Sequence, residues 1–401
     1  MLWSPALMAE LTARWHSSLA EIPEAHWDAL SAAASLPFYS WQWLLGLERS
    51  GSVAPRQGWQ PCHLGLWRAD TLIAAAPLYL KGHSYGEFVF DQSFAQLAGQ
   101  LGQRYYPKLL GMSPLSPVVG YRFLIAPGED EAALTAVMLE LIDGFCRENQ
   151  IFSCNFLYVD PRWQPLAEAA GCATWLNQQS LWSNQNYGSF ADYLASFNAN
   201  QRRNIKRERK AVQAAGLQVS AVAGEAITPQ LLSRMHGFYE QHCARWGPWG
   251  SKYLTEAFFD HAAAELRRHL VLFSAHRGDP EQPVAMSLCV HSHDWLWGRY
   301  WGSDEEIDSL HFEVCYYAPI EWAISRGIRH FDPGAGGSHK RRRGFLAKPH
   351  ASLHRWYHPR FEAIVRRWLP EANAEQLQEI EAINAELPFR ASAPSLSETA
   401  A

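Results

Sequence analysis

The sequence predicts an α/β (α+β) protein with two units in tandem, each a mixed, mainly antiparallel sheet flanked by helices. Its 401 residues, 48% of them apolar, are enough for two or three domains that each have a core. Both halves of the chain also show one order of helical and strand periodicities: two helices, three strands, a helix and a further strand. Because the last strand returns through a helix, it is expected to run parallel to its neighbour.

The N-terminal half contains the first copy of this order. Its predicted helices lie near residues 24–34, 41–49 and 130–148, followed by a short helix that ends at 171. Its predicted strands lie near 63–67, 72–80, 87–91, 151–159 and 173–182.

The C-terminal half contains the second copy. Its predicted helices lie near 229–242, 253–267 and 310–326, and its predicted strands near 270–275, 284–290, 295–301 and 328–331. The short polar stretch NQNYG at 184–188 carries a turn signal. We therefore predict one domain over 1–185, a second over 186–385 that holds the active site, and a disordered tail over 386–401.

Composition favours a soluble protein of the cytoplasm. No run approaches the ~18 consecutive apolar residues of a membrane span, and Glu10 and Arg14 interrupt the N-terminal segment where a signal peptide is apolar throughout. The seven cysteines have no CxxC spacing, so neither disulfides nor a metal site are predicted.

The net charge of −5 hides two basic clusters, QRRNIKRERK at 201–210 and KRRR at 340–343. A DNA-binding protein would normally be basic overall, so these clusters indicate local capture of an anion and no DNA partner. The alternative for the first cluster is a solvated helix face.

Five strings carry a family resemblance: PLYLKGHSYGEFVFD, RYYPKL, RWGPWGSKYLTEAFFD, GRYWGSDEEIDSLHFEVCYY and GAGGSHKRRRGF. Together they resemble the FemAB-like family of predicted N-acyltransferases, over about residues 27–368. The element order is similar to the Gcn5-related N-acyltransferase (GNAT) fold, and two such units resemble the Fem ligases, which transfer amino acids from aminoacyl-tRNA to peptidoglycan precursors. The resemblance implies transfer of an acyl or aminoacyl group to an amine acceptor, with acyl-CoA or aminoacyl-tRNA as co-substrate and no tightly bound cofactor.

The strand near 295–301 is predicted to border the active site. Alternation places its side chains on two faces, one with Trp295, Trp297, Arg299 and Trp301 and the other with Leu296, Gly298 and Tyr300. Arg299 and Trp301 are predicted to bind substrate, and Tyr300 to give a proton to the leaving group. The alternative is a core tyrosine beside a bulge glycine.

The helix after this strand supplies two candidate general bases. Asp308 and Ser309 predict its N-cap, and His311 and Glu313 lie in its first turn. A carboxylate or imidazole at the opening of the sheet can take a proton from a bound amine. A first-turn glutamate is also favoured by the helix dipole alone. Pro319 is expected to kink the helix.

The loop GAGGSHKRRRGF follows Asp332 at the end of the next strand. Its glycines and cations suit an anion or a carbonyl oxygen, so Asp332, His339 and Arg343 are predicted to bind substrate or donor. In the Fem ligases a lysine of a comparable Phe-Lys segment is associated with the carbonyl of the acyl donor, and Lys340 matches it by position, although His339 replaces the aromatic residue. A mobile surface loop is the alternative.

The turn GSDEEIDS at 302–309 disfavours a conventional CoA site. GNAT enzymes hold the CoA pyrophosphate on the backbone N–H groups of this turn, whereas four acids occupy it here. Either the basic loop 340–343 binds the donor, or aminoacyl-tRNA is the donor, or the acids bind a cationic acceptor. For tRNA, the i, i+3, i+4, i+7 spacing predicts one basic stripe of Arg203, Lys206, Arg207 and Lys210.

In the N-terminal half, Tyr105, Tyr106 and Lys108 are predicted to line an acceptor groove between the units, with a tyrosine-rich domain interface as the alternative. The sequence therefore predicts an N-acyltransferase with its reactive centre between Tyr300 and Asp332. The rival hypothesis is a non-catalytic Fem-like protein that recognises a peptidoglycan precursor or RNA.

Overall fold

The computed structural model describes residues 11–32, 36–245 and 252–390, in two compact units that are each assembled from three chain segments. The first unit comprises Met1–Gln178, Tyr253–Leu266 and Pro349–Leu377, and the second comprises Gln179–Lys252, Arg267–Lys348 and Gln378–Ala401. The chain first leaves the first unit a few residues before the predicted boundary at 184–188. It then returns to that unit twice, whereas each predicted domain is one continuous segment.

The fifteen strands among the described residues are β1 (Leu11–His16), β2 (Trp59–Pro61), β3 (His63–Arg68), β4 (Thr71–Ala76), β5 (Leu78–Lys81), β6 (Lys108–Gly111), β7 (Leu124–Ile125), β8 (Ser153–Phe156), β9 (Ala173–Ser183), β10 (Gln218–Ala223), β11 (Leu270–His276), β12 (Ala285–His291), β13 (Trp295–Ser303), β14 (His330–Asp332) and β15 (Leu346–Trp356).

The α-helices of the same ranges are α1 (Glu24–Ser31), α2 (Trp41–Arg49), α3 (Gln92–Gln100), α4 (Glu131–Glu148), α5 (Gln164–Ala169), α6 (Phe190–Ala195), α7 (Ala199–Ala214), α8 (Pro229–Arg245), α9 (Glu256–His261), α10 (Leu310–Phe312), α11 (Ala318–Ser325) and α12 (Pro359–Ala385). None of them combines the length and the apolar character that a membrane span requires.

The first unit contains an antiparallel sheet in the order β1-β3-β4-β7 and a second group of strands in the order β2-β5-β6-β8. In the second group β6 and β8 are parallel, and the β2–β5 and β5–β6 pairs are antiparallel. The predicted strand 72–80 is split into β4 and β5, which belong to different sheets. The break falls at Pro77, which has no N–H to give to a ladder.

The predicted strand 87–91 is wrong, and helix α3 was not predicted. Residues 82–90 form no strand, and Gly86 and Phe88 have positive φ values of 81° and 58°. Glu87 and Asp91 are buried and contact Lys108 instead of alternating along a sheet. The long helix α4 is confirmed: the Asp130 side chain caps it by accepting a 3.0 Å hydrogen bond from the Ala133 N–H.

The second unit is built on a sheet in the order β10-β11-β12-β13-β14-β9, in which only β13 and β14 pair in parallel. Helix α8 packs on one face, where the Tyr239 and Tyr300 ring centroids are 5.0 Å apart. The other face packs against the segment 310–325, where the Ser287 hydroxyl donates to the Val314 carbonyl at 2.5 Å. This is the predicted order of three antiparallel strands, a helix and a parallel strand.

A β-bulge at Arg299 changes the predicted faces of β13. Tyr300 pairs with Leu288 and Gly298 with Cys289, so Arg299 is an extra residue without a partner on β12. The alternation shifts by one after the bulge, and Trp301 therefore lies on the face of Gly298, whereas Tyr300 lies on the opposite face. The predicted common face of three tryptophans and Arg299 is wrong.

The segment 310–325 departs from a regular helix at two places. Ser309 has a φ of 64° and its side chain caps no N–H, so the predicted N-cap is wrong. Glu313–Tyr317 forms a π-helical turn that ends two residues before Pro319, whose missing N–H interrupts the α-helical pattern. The helix ends as predicted before Gly327, which has a φ of 69°.

The end of the described chain is ordered where a disordered tail was predicted. Phe389 stacks on Phe197 with ring centroids 5.2 Å apart, and the Asn198 N–H donates to the Pro388 carbonyl at 2.9 Å. Residues 386–390 therefore belong to the second unit, and residues 391–401 lie outside the described ranges.

Candidate active site

A cleft of about 450 Å³ opens in the second unit beside the C-terminal end of β13. It is bounded by the turn 303–309 and by the start of the helical segment that follows. The residues that line it are Arg245, Trp301, Ser303, Glu305, Glu306, Ile307, Asp308, Ser309, Leu310, His311 and Phe312. The cleft thus has aromatic walls, an imidazole and an acidic rim.

His311 is the predicted general base that lies in this cleft. Its ring centroid lies 4.4 Å from that of Trp301, which is predicted to bind substrate, and the two rings are tilted by 33°. Burial and then the neighbouring charge of His339 lower the pKa of His311 to about 3. The imidazole is therefore neutral at physiological pH and can hold an amine by a hydrogen bond.

His339 approaches the same place from the loop 338–343. Its ring centroid is 5.4 Å from that of His311, and its Nε2 is 2.8 Å from the Tyr316 hydroxyl. Burial, with smaller effects from Arg343 and Lys340, lowers the pKa of His339 below its usual value. A half-buried neutral imidazole with an oriented ring is the arrangement expected of a general base.

Lys340 is buried beneath the loop, with 2% of its surface exposed. Its Nζ donates to the carbonyls of Gly334 and Ala335, at 2.6 and 3.1 Å. Burial lowers the pKa of Lys340 to about 8, against the opposing effect of Asp332. These hydrogen bonds fix the backbone at Gly334 and Ala335. The contact of Lys340 with a donor carbonyl stays a prediction.

Arg299, Asp332 and Arg343 were predicted to bind substrate but are paired inside the protein. Arg299 donates to Asp332 at 3.2 Å, and Asp332 also accepts the Gly334 N–H at 2.8 Å. Arg343 forms an ion pair of 2.7 Å with Glu208. Tyr300 packs on Tyr239, on the sheet face opposite Trp301.

Glu313, the other predicted base, is directed away from His311. Its carboxylate accepts hydrogen bonds from Arg209 of α7 at 3.0–3.1 Å, and Arg209 also donates to Glu321 at 2.7 Å. Burial raises the pKa of Glu313, although Arg209 opposes the rise. Arg209 thus engages both oxygens of this carboxylate, and Glu313 does not line the cleft that contains His311.

The acidic turn is only half neutralised. Asp304 pairs with Arg234, and Glu305 forms two hydrogen bonds of 2.7 Å with Arg277. Glu306 and Asp308 are exposed and form no ion pair with any residue in the described ranges. Negative charge therefore remains on the rim of the cleft, as the sequence predicts.

The basic stripe exists as an exposed face of α7. The helix begins at Asn198, whose side chain accepts the Gln201 N–H at 3.0 Å. Its outer face carries the four predicted cations Arg203, Lys206, Arg207 and Lys210, all of them exposed. None of the four pairs with an acid in the part of the chain that the structure describes.

Tyr105 and Lys108 lie inside the first unit and do not line an open groove. Lys108 is 1% exposed and donates to Glu87 at 2.7 Å, to Ser84 at 2.8 Å and to Asp91. Tyr105 donates to Asp91 at 2.6 Å. These are residues of the strings that carry the family resemblance, and they form one buried polar network.

Two further residues of this unit complete the network. Lys81 is the register partner of Lys108 across the β5–β6 pair, and its Nζ lies 3.7 Å from the centre of the Trp59 ring. Tyr106, the third residue predicted for the groove, is half-buried, and its hydroxyl is 2.8 Å from the Ser84 hydroxyl.

Glu87 should make the stability of this unit depend on pH. Burial raises its pKa to about 7 from an ordinary 4.5, so the folded protein keeps a proton that the unfolded chain loses. We expect the free energy of unfolding to fall as pH rises from about 4.5 to 7, by about 1 kcal/mol per pH unit from this group. Urea unfolding across this range should show a flatter dependence in Glu87→Gln, and equal slopes in both proteins would contradict the assignment.

Sequence reasoning missed Tyr316 and His242 as neighbours of the site. In a regular α-helix residues five apart differ by about 140° and face different sides. The π turn changes this, and the His311 and Tyr316 ring centroids are 5.4 Å apart. His242 of α8 lies 5.1 Å from the Trp301 ring, a tertiary contact with no local sequence signal. No group of three or more potential metal ligands occurs in the described ranges.

The fold and the position of the cleft define a tandem GNAT-like protein: each unit has helices around a mainly antiparallel sheet with one parallel pair. The profile of the FemAB-like family, described as peptidoglycan biosynthesis/recognition, matches residues 18–391. The chain therefore belongs to the FemAB-like family, as the sequence strings predict.

Solved structures show the likeness of the fold. FemX has a TM-score of 0.52 at 10% identity, over 86% of this chain and 98% of that chain. A tandem GNAT protein from the clavulanic acid biosynthesis pathway gives 0.44 at 10% identity, over 86% and 98%. L-PGS from Bacillus licheniformis gives 0.47 at 9% identity, over 81% and 95%. No curated protein matches the sequence.

Proposed function

We propose that this protein transfers an aminoacyl or acyl group from an activated donor to an amine, at the cleft of the second unit. The observation that carries the proposal is the pair of neutral imidazoles, His311 and His339, beside an aromatic wall at the C-terminal end of β13. Membership in the FemAB-like family supports the same reaction.

In this reaction the nitrogen of the acceptor attacks the carbonyl carbon of the donor directly. The new C–N bond forms as the bond from the acyl carbon to the oxygen or sulfur of the donor breaks. His339, with one ring nitrogen held by Tyr316, takes the proton from the attacking nitrogen and passes it to the leaving group. His311 orients the amine, and the positive charge of Lys340 and the N–H groups of the loop stabilise the negative charge on the carbonyl oxygen.

The exposed charges favour aminoacyl-tRNA as the donor. The acids Glu306 and Asp308 on the cleft rim repel a CoA pyrophosphate at the turn where GNAT enzymes bind it. The four unpaired cations of α7 instead form a stripe along two helical turns that can contact successive phosphates. An amine that bears positive charge would be attracted by the same acidic rim.

A transfer assay with two donors tests this proposal. Purified protein is given aminoacyl-tRNA or acyl-CoA with a peptidoglycan-precursor peptide, and the product amide is measured by mass spectrometry. We expect product from aminoacyl-tRNA. Product from acyl-CoA alone would overturn the tRNA assignment, and no product from either donor would favour a non-catalytic protein that recognises the precursor or RNA.

Neutralising half of the stripe should weaken tRNA binding in a salt-dependent way. For Arg203→Ala with Arg207→Ala, we expect the slope of log affinity against log salt to become shallower by ~1.5, because each lost phosphate contact with a single strand contributes ~0.7 and with a duplex ~0.9. The matched control, Arg268→Ala with Arg326→Ala, removes two exposed arginines of the same unit elsewhere. Equal slopes in the two double variants, measured by filter binding, would exclude the stripe.

A further inference from the structure

The inner face of helix α7 contacts the interior of the second unit, opposite the basic stripe on its outer face. Gln201, Ile205 and Glu208 lie on the side of the helix that faces the second unit's interior. The Glu208 carboxylate is the only acid among the ten residues of the basic cluster 201–210. Its position in the fold, rather than its effect on the net charge, is what matters here.

Glu208 accepts hydrogen bonds from two elements, the loop 338–343 and the π turn 313–317. Its Oε2 accepts the Arg343 Nη2 at 2.7 Å and the Tyr317 hydroxyl. Tyr317 ends the π turn that contains Tyr316, and Arg343 ends the loop that carries His339 and Lys340. One carboxylate oxygen therefore joins the loop and the helical segment.

Arg343 in turn fixes the backbone of the loop 338–343. It is 2% exposed, its Nη1 donates to the His339 carbonyl at 2.8 Å, and its guanidinium lies 3.4 Å from the centre of the Phe312 ring. Gln201, also on α7, donates to the Arg342 carbonyl at 2.6 Å. The backbone on both sides of Lys340 is thus fastened to α7.

A buried ion pair between an arginine and a carboxylate adds little to the free energy of unfolding. The desolvation of two charges offsets most of their attraction, and apolar residues of similar size are often as stable. What an ion pair with several fixed hydrogen bonds adds is a defined position. At an active site this matters, because a displacement of about 1 Å can cost about 100-fold in rate.

We propose that Glu208 is a positioning residue of the active site. Its carboxylate, through Arg343, sets the position of the loop 338–343 and so of His339 and Lys340 relative to His311. This inference rests on the proposed function for its effect on rate and on the hydrogen bonds alone for its effect on the loop. Because the basic stripe lies on the outer face of the same helix, α7 holds both the bound polyanion and the loop.

Glu208→Gln, measured for both transfer and loop exchange, tests the proposal. We expect kcat to fall by 10- to 100-fold with KM for the donor changed less than threefold, and the amides of 338–345 to exchange with deuterium at least tenfold faster. The matched control is Glu321→Gln, since Glu321 also bonds an arginine of α7 but contacts no residue of the loop. We expect it to leave loop exchange unchanged.

A double variant separates positioning from charge balance. Glu208→Gln should also lower the melting temperature, because it leaves the buried Arg343 without its carboxylate. Glu208→Leu with Arg343→Met removes both charges together, so the melting temperature should largely return while kcat stays low and the loop amides still exchange fast. Recovery of both the melting temperature and kcat would show that Glu208 only neutralises Arg343, and would overturn the proposal. Unchanged loop exchange in Glu208→Gln would overturn it even if the wild type transferred no acyl group, in which case the proposed function fails separately.

Discussion

Replacing His339 with alanine is expected to lower kcat/KM for amide formation by about 10²- to 10⁴-fold, the range in which a positioned general base contributes. The structure gives three reasons: His339 is neutral, its ring lies 5.4 Å from that of His311, and Tyr316 fixes one of its nitrogens at 2.8 Å. The measurement is the rate of product formation under kcat/KM conditions. His293→Ala is the control, since His293 lies in the same unit with a side chain that is 96% exposed.

The pH profile of kcat/KM should also identify His339 as the general base. Burial depresses the pKa of His339, so the neutral base persists below pH 6.5 and the acidic limb of kcat/KM should lie under that value. Tyr316→Phe removes the hydrogen bond and leaves the imidazole, so we expect a loss smaller than that of His339→Ala. If His339→Ala kept more than half of the wild-type rate, or its profile kept the wild-type acidic limb, another group would be the base.

Local patterns predicted the second unit well because its elements are regular. The exposed basic stripe, the antiparallel order β11-β12-β13 and the parallel β13–β14 pair follow from periodicity and from the rule for a returning strand. Helix α7 and strand β10 were not among the predicted elements. The loop GAGGSHKRRRGF was also predicted to border the site, and the ring of its His339 lies 5.4 Å from that of His311. These patterns involve residues that are close together in the sequence, so a single sequence is enough to predict them.

The errors in the site arise where one irregular residue changes the direction of the next side chains. The bulge at Arg299 reversed the expected faces of Tyr300 and Trp301, and the π turn placed Tyr316 beside His311. Neither feature has a spacing of its own in the sequence. Such irregular geometry is stabilised by tertiary contacts, for example the hydrogen bond that the Ser287 hydroxyl donates to the Val314 carbonyl in the π turn.

Ion pairs were the other source of error. Glu313 was expected to face the cleft because it stands one turn into a helix, yet Arg209, 104 positions earlier in the sequence, holds it. Arg343 and Lys108, which were predicted to bind ligands, each pair with acids that only the fold brings near. A single sequence shows which residues are charged but not which of the distant ones are partners.

Above pH 7, where Glu87 is ionised, replacing Lys108 with methionine is expected to reduce the free energy of unfolding of the first unit by about 3–5 kcal/mol, the cost of removing one member of a buried ion pair. Glu87 and Asp91 are both buried, and Lys108 contacts both of them. Without it they lose their nearest positive charge in a medium that solvates charge poorly. Lys81, the register partner, does not replace it, since its Nζ donates to the Tyr85 carbonyl and lies over Trp59.

Urea unfolding followed by tryptophan fluorescence measures this loss, with Arg366→Met as the matched control. Arg366 pairs with Glu362 in the same unit but at the surface, so its loss should cost less than about 1 kcal/mol. Adding Glu87→Gln and Asp91→Asn to Lys108→Met should restore much of the stability, because the buried charges then disappear together. An equal cost for Lys108→Met and Arg366→Met would mean that water or a relaxed backbone compensates the two carboxylates. A restored triple variant would instead show that the network stabilises the unit by mutual neutralisation, which separates its structural role from any part it has in binding the acceptor.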